Sequence, residues 1–304
     1  MVNYRSYSQY LKERFGRSVL KVPLHAGFSC PNIDGAKSTG GCIYCDNVAF
    51  SPAAASKQPV LKQLEAGITR SGKRFDLFIG YFQTYSNTHA PLNRLKAVYE
   101  PIIAHPKVVG IAIGTRPDCF SEEIYRYLSE ISQRTYLSIE LGMQTIHNST
   151  LRLINRGHSF EESKCSIEQL NRLGIETVAH VMLGLPNETR AMMLQTASAL
   201  AALPVHGVKI HQLMVINRTV LHKQWYSIGR LTVLELPQYA ELLAEFVSRL
   251  RPDQVIHRIM ADSQPARGLI APLWSTEKQH SIQFIQRYLL QNKIYQGMRC
   301  DKKK

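Results

Sequence analysis

The sequence predicts an α/β fold built from repeated strand-helix units, and two observations predict it. Six short runs are apolar almost throughout, as strands buried on both faces of a parallel sheet are, and each is followed by a segment of helical period. Helix start and stop signals are legible between the runs.

Near the N-terminus, Tyr7, Leu11 and Phe15 recur every four residues and mark a packed helix face. The first three strands are expected at 19–25, 75–82 and 108–114. Ser121 then opens a helix as its N-cap. After a fourth strand at 135–141, Ser159 with Glu162 three positions on forms a capping box, and Gly174 stands where that helix should stop. The fifth and sixth strands are expected at 177–183 and 208–215. Pro237 suits the first turn of a helix over 237–250, whose apolar face carries Leu242, Leu243, Phe246 and Leu250. From residue 252 the period weakens, and nine Lys or Arg face four Asp or Glu. The expected organisation is therefore a strand-helix domain over 1–251 with an N-terminal helical extension, and a small basic C-terminal appendage over 252–304. Its final lysines, 302–304, are expected to fray and to add weak attraction for phosphate.

Composition narrows the function classes. The N-terminal residues lack the continuous apolar core of a secretory signal, and no run of about 18 apolar residues marks a membrane span. A cytoplasmic protein without membrane contact is expected. Its six cysteines, at 30, 42, 45, 119, 165 and 300, are then not expected to form disulfides, because the cytosol keeps thiols reduced. With 37 basic and 23 acidic residues the chain carries a formal charge of +14, which attracts a polyanion over long range. Nucleic acid is the natural partner, although charge alone does not separate RNA from DNA or from an inert basic surface.

Three of the cysteines crowd into residues 30–45, spaced Cys-x11-Cys-x2-Cys, with Gly35, Gly40 and Gly41 between the first two. Thiolates are soft ligands for iron-sulfur clusters or zinc, and the glycines let peptide N–H groups approach the sulfurs. A closed structural zinc site needs a fourth ligand, for which His25, Cys119 and Cys165 are candidates. Three thiolates on a four-iron cube instead leave one iron open. The loop follows the first strand, at the C-terminal mouth of a β/α barrel where chemistry gathers.

At this point the chain resembles a known family. The residues that carry the likeness are HAGFSCPNIDG at 25–35, GGCIYC at 40–45, YFQTYSNT at 81–88, GTRPDC at 114–119, ELGMQT at 140–145, INRGH at 154–158, HVMLGLPNET at 180–189 and HRI at 257–259. They resemble the radical S-adenosylmethionine (SAM) enzymes, the branch related to the Elongator catalytic subunit, and within it the bacterial YtqA/YhcC group. The resemblance implies a partial (β/α)6 barrel, the radical SAM barrel, holding a 4Fe-4S cluster on Cys30, Cys42 and Cys45. SAM would bind the fourth iron and be cleaved to methionine and a 5′-deoxyadenosyl radical. An electron donor such as flavodoxin or ferredoxin is implied. The first cysteine gap is longer than the commonest Cys-x3-Cys-x2-Cys spacing, as in the chain's own branch. No residues remain for the acetyltransferase domain of the Elongator subunit, so chemistry on acetyl-CoA is not expected.

The same resemblance implies tRNA as partner and substrate, with the C5 side chain of the wobble uridine converted from carboxymethylaminomethyl to aminomethyl. A radical SAM enzyme of another RNA base or a small metabolite, and a non-catalytic nucleic-acid-binding protein with a structural metal site, remain as alternatives.

Residues at strand ends should face the barrel mouth. Gln83, Glu140, Arg156 and Gly184 are candidates for binding SAM: Gln83 near its amino group, Glu140 as acceptor for the ribose, Arg156 at its carboxylate, and Gly184 where a flat adenine needs close backbone. Gly184 has the simpler alternative of a strand-to-helix turn. Arg116, Lys209, His211 and Arg258 are candidates for substrate contact, though Arg116 and Asp118 have the alternative of satisfying each other. His257 joins the late-barrel candidates, and His158 either touches the site or caps the next helix.

Overall fold

The computed structural model describes residues 3–300, so the terminal lysines at 302–304 lie outside it. Helix α1 (Tyr7–Phe15) leads into strand β1 (Val19–Leu24). A long loop carrying the cysteines follows, then the short α2 (Asn47–Phe50) and α3 (Val60–Ser71). The chain continues through β2 (Leu77–Phe82), α4 (Leu92–Ile103), β3 (Val108–Thr115), α5 (Glu122–Arg134) and β4 (Tyr136–Gln144). Two helices, α6 (Asn148–Leu153) and α7 (Phe160–Arg172), precede β5 (Glu176–Leu183), α8 (Arg190–Ala202) and β6 (Gly207–Gln212). The last part holds β7 (Val215–Ile216), α9 (Leu236–Arg249), β8 (Val255–Arg258), β9 (Leu269–Ala271) and α10 (Lys278–Gln291).

Seven strands form one parallel sheet in the order β1-β2-β3-β4-β5-β6-β8, an open partial barrel of the kind the resemblance implies. All six expected strands are in it, and one more. The seventh, β8, pairs with β6 through Gly207↔Val255 and Lys209↔Arg258, so the start of the expected appendage completes the sheet. The sixth run also breaks after Gln212, and Val215–Ile216 pairs antiparallel with β9 instead.

Local chemistry explains the helix boundaries. The Ser121 hydroxyl accepts from the Ile124 amide, the Ser159–Glu162 capping box is complete, and Gly174 takes a left-handed φ of 70° just past α7. Leu242, Leu243, Phe246 and Leu250 are buried along α9, each such side chain contributing about 1.5–3 kcal/mol. Helix α1 contacts both edge strands, β1 and β8. Its Leu11 packs on Ile79, Tyr81, Ala112 and Tyr136, while Tyr7 stacks on His257 with ring centroids 3.9 Å apart. The expected helix face is therefore a plug at the base of the barrel. No helix among the described residues is long and apolar enough to cross a membrane.

Candidate active site

The cysteine loop lies over the C-terminal ends of the strands and is folded by its own backbone. Ile33 and Asp34 amides donate to the Cys30 carbonyl at 2.7 and 3.1 Å, and the Cys45 amide donates to Cys42 at 3.0 Å. Gly40 and Gly41 have φ of 78° and 76°, a left-handed path that side chains resist. The Asn32 side chain docks the loop, donating to the Asn155 carbonyl, to the Arg156 carbonyl at 2.9 Å and to the Cys42 Sγ at 3.6 Å. From the other side, Arg116 Nη1 donates to the same Arg156 carbonyl at 2.6 Å. Arg116 also grips Asp118 with two bonds of 2.9 and 2.7 Å, so these two residues satisfy each other as one sequence reading had it. Arg156 donates to the Gly142 carbonyl at 3.1 and 2.6 Å and to Cys42 Sγ at 3.5 Å.

Cys30, Cys42 and Cys45 line a single cleft with Gln83, Arg116, Glu140, Arg156, Lys209, His211 and Arg258. Its cavity volume is about 180 Å³, and it opens to solvent at the mouth. Tyr85 and Gln144, also on its wall, carry positive φ of 66° and 72°, a strain that concentrates where ligands bind. Gly184 stands behind the wall that Met182 and Met214 form, facing Leu213 and Leu234. Its φ of 89° makes it the glycine of a strand-to-helix turn. His158 bonds the Gly142 and Ser159 carbonyls, while Ser159 caps the next helix.

Below the mouth, the barrel interior is polar. The fully buried Glu140 carboxylate accepts from Tyr81 at 2.7 Å, His180 at 2.8 Å and Lys209 at 2.8 Å, and from Lys21. Within the cleft, then, Glu140 is the interior counter-ion of the barrel floor as well as a lining residue. Burial pushes the Glu140 carboxyl up, but Lys209 and Lys21 outweigh it and hold it well below the usual carboxylate range. Burial lowers Lys209 to about 7 against the opposing pull of Glu140, and lowers His180 to about 4. His211 and His257 are pushed well below the ordinary histidine value, burial being the largest cause, and so are neutral. Sequence reasoning missed Lys21, Tyr81 and His180. Their signal was a polar side chain at every second position of an apolar strand, such as Lys209 and His211.

The rim of the cleft is stitched to the cysteine loop. The Leu221 amide donates to the Ile43 carbonyl at 2.8 Å, and Arg218 bonds Asp46, next to Cys45, at 2.7 Å. Residues 217–234 contain no Asp or Glu, and exposed Lys223 and Arg230 have no ion-pair partner among the described residues. Trp225 and Tyr226 pack beside Ile43 and Cys45.

The donor set fits an iron-sulfur cube. Three thiols converge on one cleft, with Asn32 and Arg156 donating to the Cys42 sulfur as second-shell N–H groups do for cluster thiolates. Among the described residues no group of three or more His, Cys, Asp or Glu is placed to hold a single metal ion. His25 is engaged with Thr84 at 2.8 Å, and Cys165 is exposed on α7.

Comparison with known families decides between these readings. A model of the radical SAM superfamily matches residues 36–200, more than half the chain, and the Radical_SAM C-terminal domain matches residues 205–291. The chain belongs to the radical SAM superfamily. It is 38% identical over 300 residues to the uncharacterized protein YtqA of Bacillus subtilis, covering 97% of this chain and 92% of that protein. It is 27% identical over 190 residues to human Elongator complex protein 3, covering 62% of this chain and 34% of that one. The structure of the archaeal Methanocaldococcus infernus Elp3 shares its fold, with a TM-score of 0.63 at 17% identity, over 91% of this chain and 64% of the other. Radical SAM enzymes use a 4Fe-4S cluster and S-adenosylmethionine, and the cleft that gathers Cys30, Cys42 and Cys45 is where this chain would hold them.

Proposed function

We propose that this radical SAM chain modifies tRNA, converting the carboxymethylaminomethyl group on C5 of the wobble uridine to aminomethyl. The observation that supports the reading is one cleft that holds the three cysteines together with Lys209 and Arg258, beside a segment, 217–234, that is tied to the cysteine loop and carries the exposed Lys223 and Arg230. The likeness to YtqA and to Elongator complex protein 3, and the formal charge of +14, support it.

Bound there, the cluster and SAM supply a 5′-deoxyadenosyl radical that removes a hydrogen atom from the substrate. The chain's own residues bind, orient and shield. Gln83 reaches the cleft beside the cysteines and is a proposed polar contact to SAM, and Arg156 is proposed to reach SAM with the N–H groups its bonds to Gly142 and Cys42 leave free. Met182, Met214 and the half-buried Trp225 and Tyr226 keep water from the mouth. Lys223 and Arg230 meet phosphates, and a wobble base splayed from its loop enters the cleft, because a stacked base cannot reach it. Flavodoxin or ferredoxin is the proposed electron donor.

The test is mass spectrometry of tRNA nucleosides from a strain lacking this chain. Accumulated 5-carboxymethylaminomethyluridine with loss of the aminomethyl product, reversed by the wild-type chain and not by Cys42→Ala, is the expected result. An unchanged nucleoside profile would refute the proposal.

A further inference from the structure

Three arginines line the cleft, and two are occupied: Arg116 by Asp118 and the Arg156 carbonyl, Arg156 by Gly142 and Cys42. The third, Arg258, ends β8 opposite Lys209 and makes no hydrogen bond or ion pair among the described residues. The acids that face this floor are already committed. Glu140 is shared by Lys21, Tyr81, His180 and Lys209, and Asp262 pairs with Lys278 at 2.9 Å. Beside Arg258, the His211 Nε2 is buried and has no partner. Both residues line the same cleft as the cysteines.

Arg258 is half-buried, and a guanidinium on a cleft wall with no protein acceptor is open to an anionic ligand. Arg258 adds to burial in lowering both Lys21 and Lys209, so the floor favours a further anion. The floor thus carries a positive potential and an unfilled planar fork, which matches a carboxylate in bidentate fashion.

We propose that Arg258, with His211 beside it, binds the carboxylate of the substrate's carboxymethyl group. This deepens the tRNA reading and rests on it. The carboxylate anchors the modified side chain on the floor and leaves the adjoining carbon in the cleft between floor and cysteines. Removal of a hydrogen atom from the carbon between nitrogen and carboxylate, loss of one further electron to an iron-sulfur acceptor and hydrolysis of the resulting imine by water would release the two-carbon fragment as glyoxylate and leave an aminomethyl ammonium that the Arg258 guanidinium repels.

The experiment uses the anaerobic holoenzyme with SAM and two anticodon stem-loops, one bearing 5-carboxymethylaminomethyluridine and one 5-aminomethyluridine. Titration with N-acetylglycine and its uncharged amide tests the carboxylate site without RNA. The wild type should prefer the carboxylate-bearing loop at least about tenfold and N-acetylglycine over its amide. Arg258→Gln should erase both preferences with the SAM Kd unchanged, and Arg258→Lys should restore part of them. Thermal midpoints of both variants separate lost folding from lost binding. Equal weakening of both loops in Arg258→Gln would put a backbone phosphate on Arg258, and a tenfold rise in the SAM Kd would put the SAM carboxylate there; either overturns the proposal, as does a wild type without preference in either pair. A preference for N-acetylglycine that Arg258→Gln abolishes, with neither loop bound, would keep the carboxylate site and sink the tRNA reading.

Discussion

Gly157, just beyond the strand and short helix that carry Glu140 and Leu151, sits so close to Asn32 that a Cβ on it would lie 2.3 Å from the Asn32 Oδ1. Its φ of 75° is also left-handed. One glycine therefore lets the Asn32 amide of the cysteine loop reach the Asn155 and Arg156 carbonyls.

Gly157→Ala should accordingly displace Asn32 and loosen the cysteine loop, at a cost of about 1–3 kcal/mol from backbone strain alone. The expected outcome is a lower urea midpoint and a lower iron content per chain after reconstitution. Full iron content would show that the Asn32 clamp is dispensable.

All three thiolates are needed for a stable cluster, so Cys30→Ala, Cys42→Ala and Cys45→Ala should each lose iron and release no 5′-deoxyadenosine from SAM. Cys165, exposed on the outer helix α7, is the control, and Cys165→Ala should retain both properties. SAM cleavage by reconstituted Cys42→Ala would remove the cluster assignment.

Glu140→Gln leaves Lys21 and Lys209 without their buried counter-charge, and breaking such a pair from one side costs about 3–5 kcal/mol. Equilibrium unfolding should show that loss. Adding Lys209→Met to Glu140→Gln should recover part of it, because one stranded cation is then gone.

The lowered Lys209 makes stability depend on pH with a definite sign. Folded, it releases its proton near 7, whereas the unfolded chain keeps it to about 10.4. Between those values the unfolded state binds more protons, so stability rises with pH through that window. The comparison is with Lys209→Met: its stability profile should be flatter from pH 7 to 10, and parallel profiles would contradict the assignment.

Lys223→Gln together with Arg230→Gln should weaken tRNA binding and reduce the slope of log affinity against log salt by about 0.7–0.9 per lost phosphate contact. Iron content should stay at the wild-type level. An unaltered slope would move the RNA surface away from this rim.

The cysteine loop and the barrel class were legible in the sequence because both are written locally. Cys30, Cys42, Cys45 and their glycines fall within one loop, the apolar runs mark buried strands without reference to distant residues, and Ser159 with Glu162 fixes a helix start from four positions. Pairing across the barrel is not local. Alternation along β6 shows that Lys209 and His211 share a face, yet only closure of the sheet brings Lys209 to Tyr81 and Glu140, and Lys21 to the same carboxylate. For that reason the sequence placed Glu140 at a strand end and did not show its partners in the interior. Weak periodicity hid β8 in the expected appendage, since a strand of four residues gives too short a pattern to recognise, and only its register with β6 sets Arg258 at the cleft. Tyr7 and Leu11 announced a packed face, while the gap between β1 and β8 that they plug exists only once the partial barrel has curled.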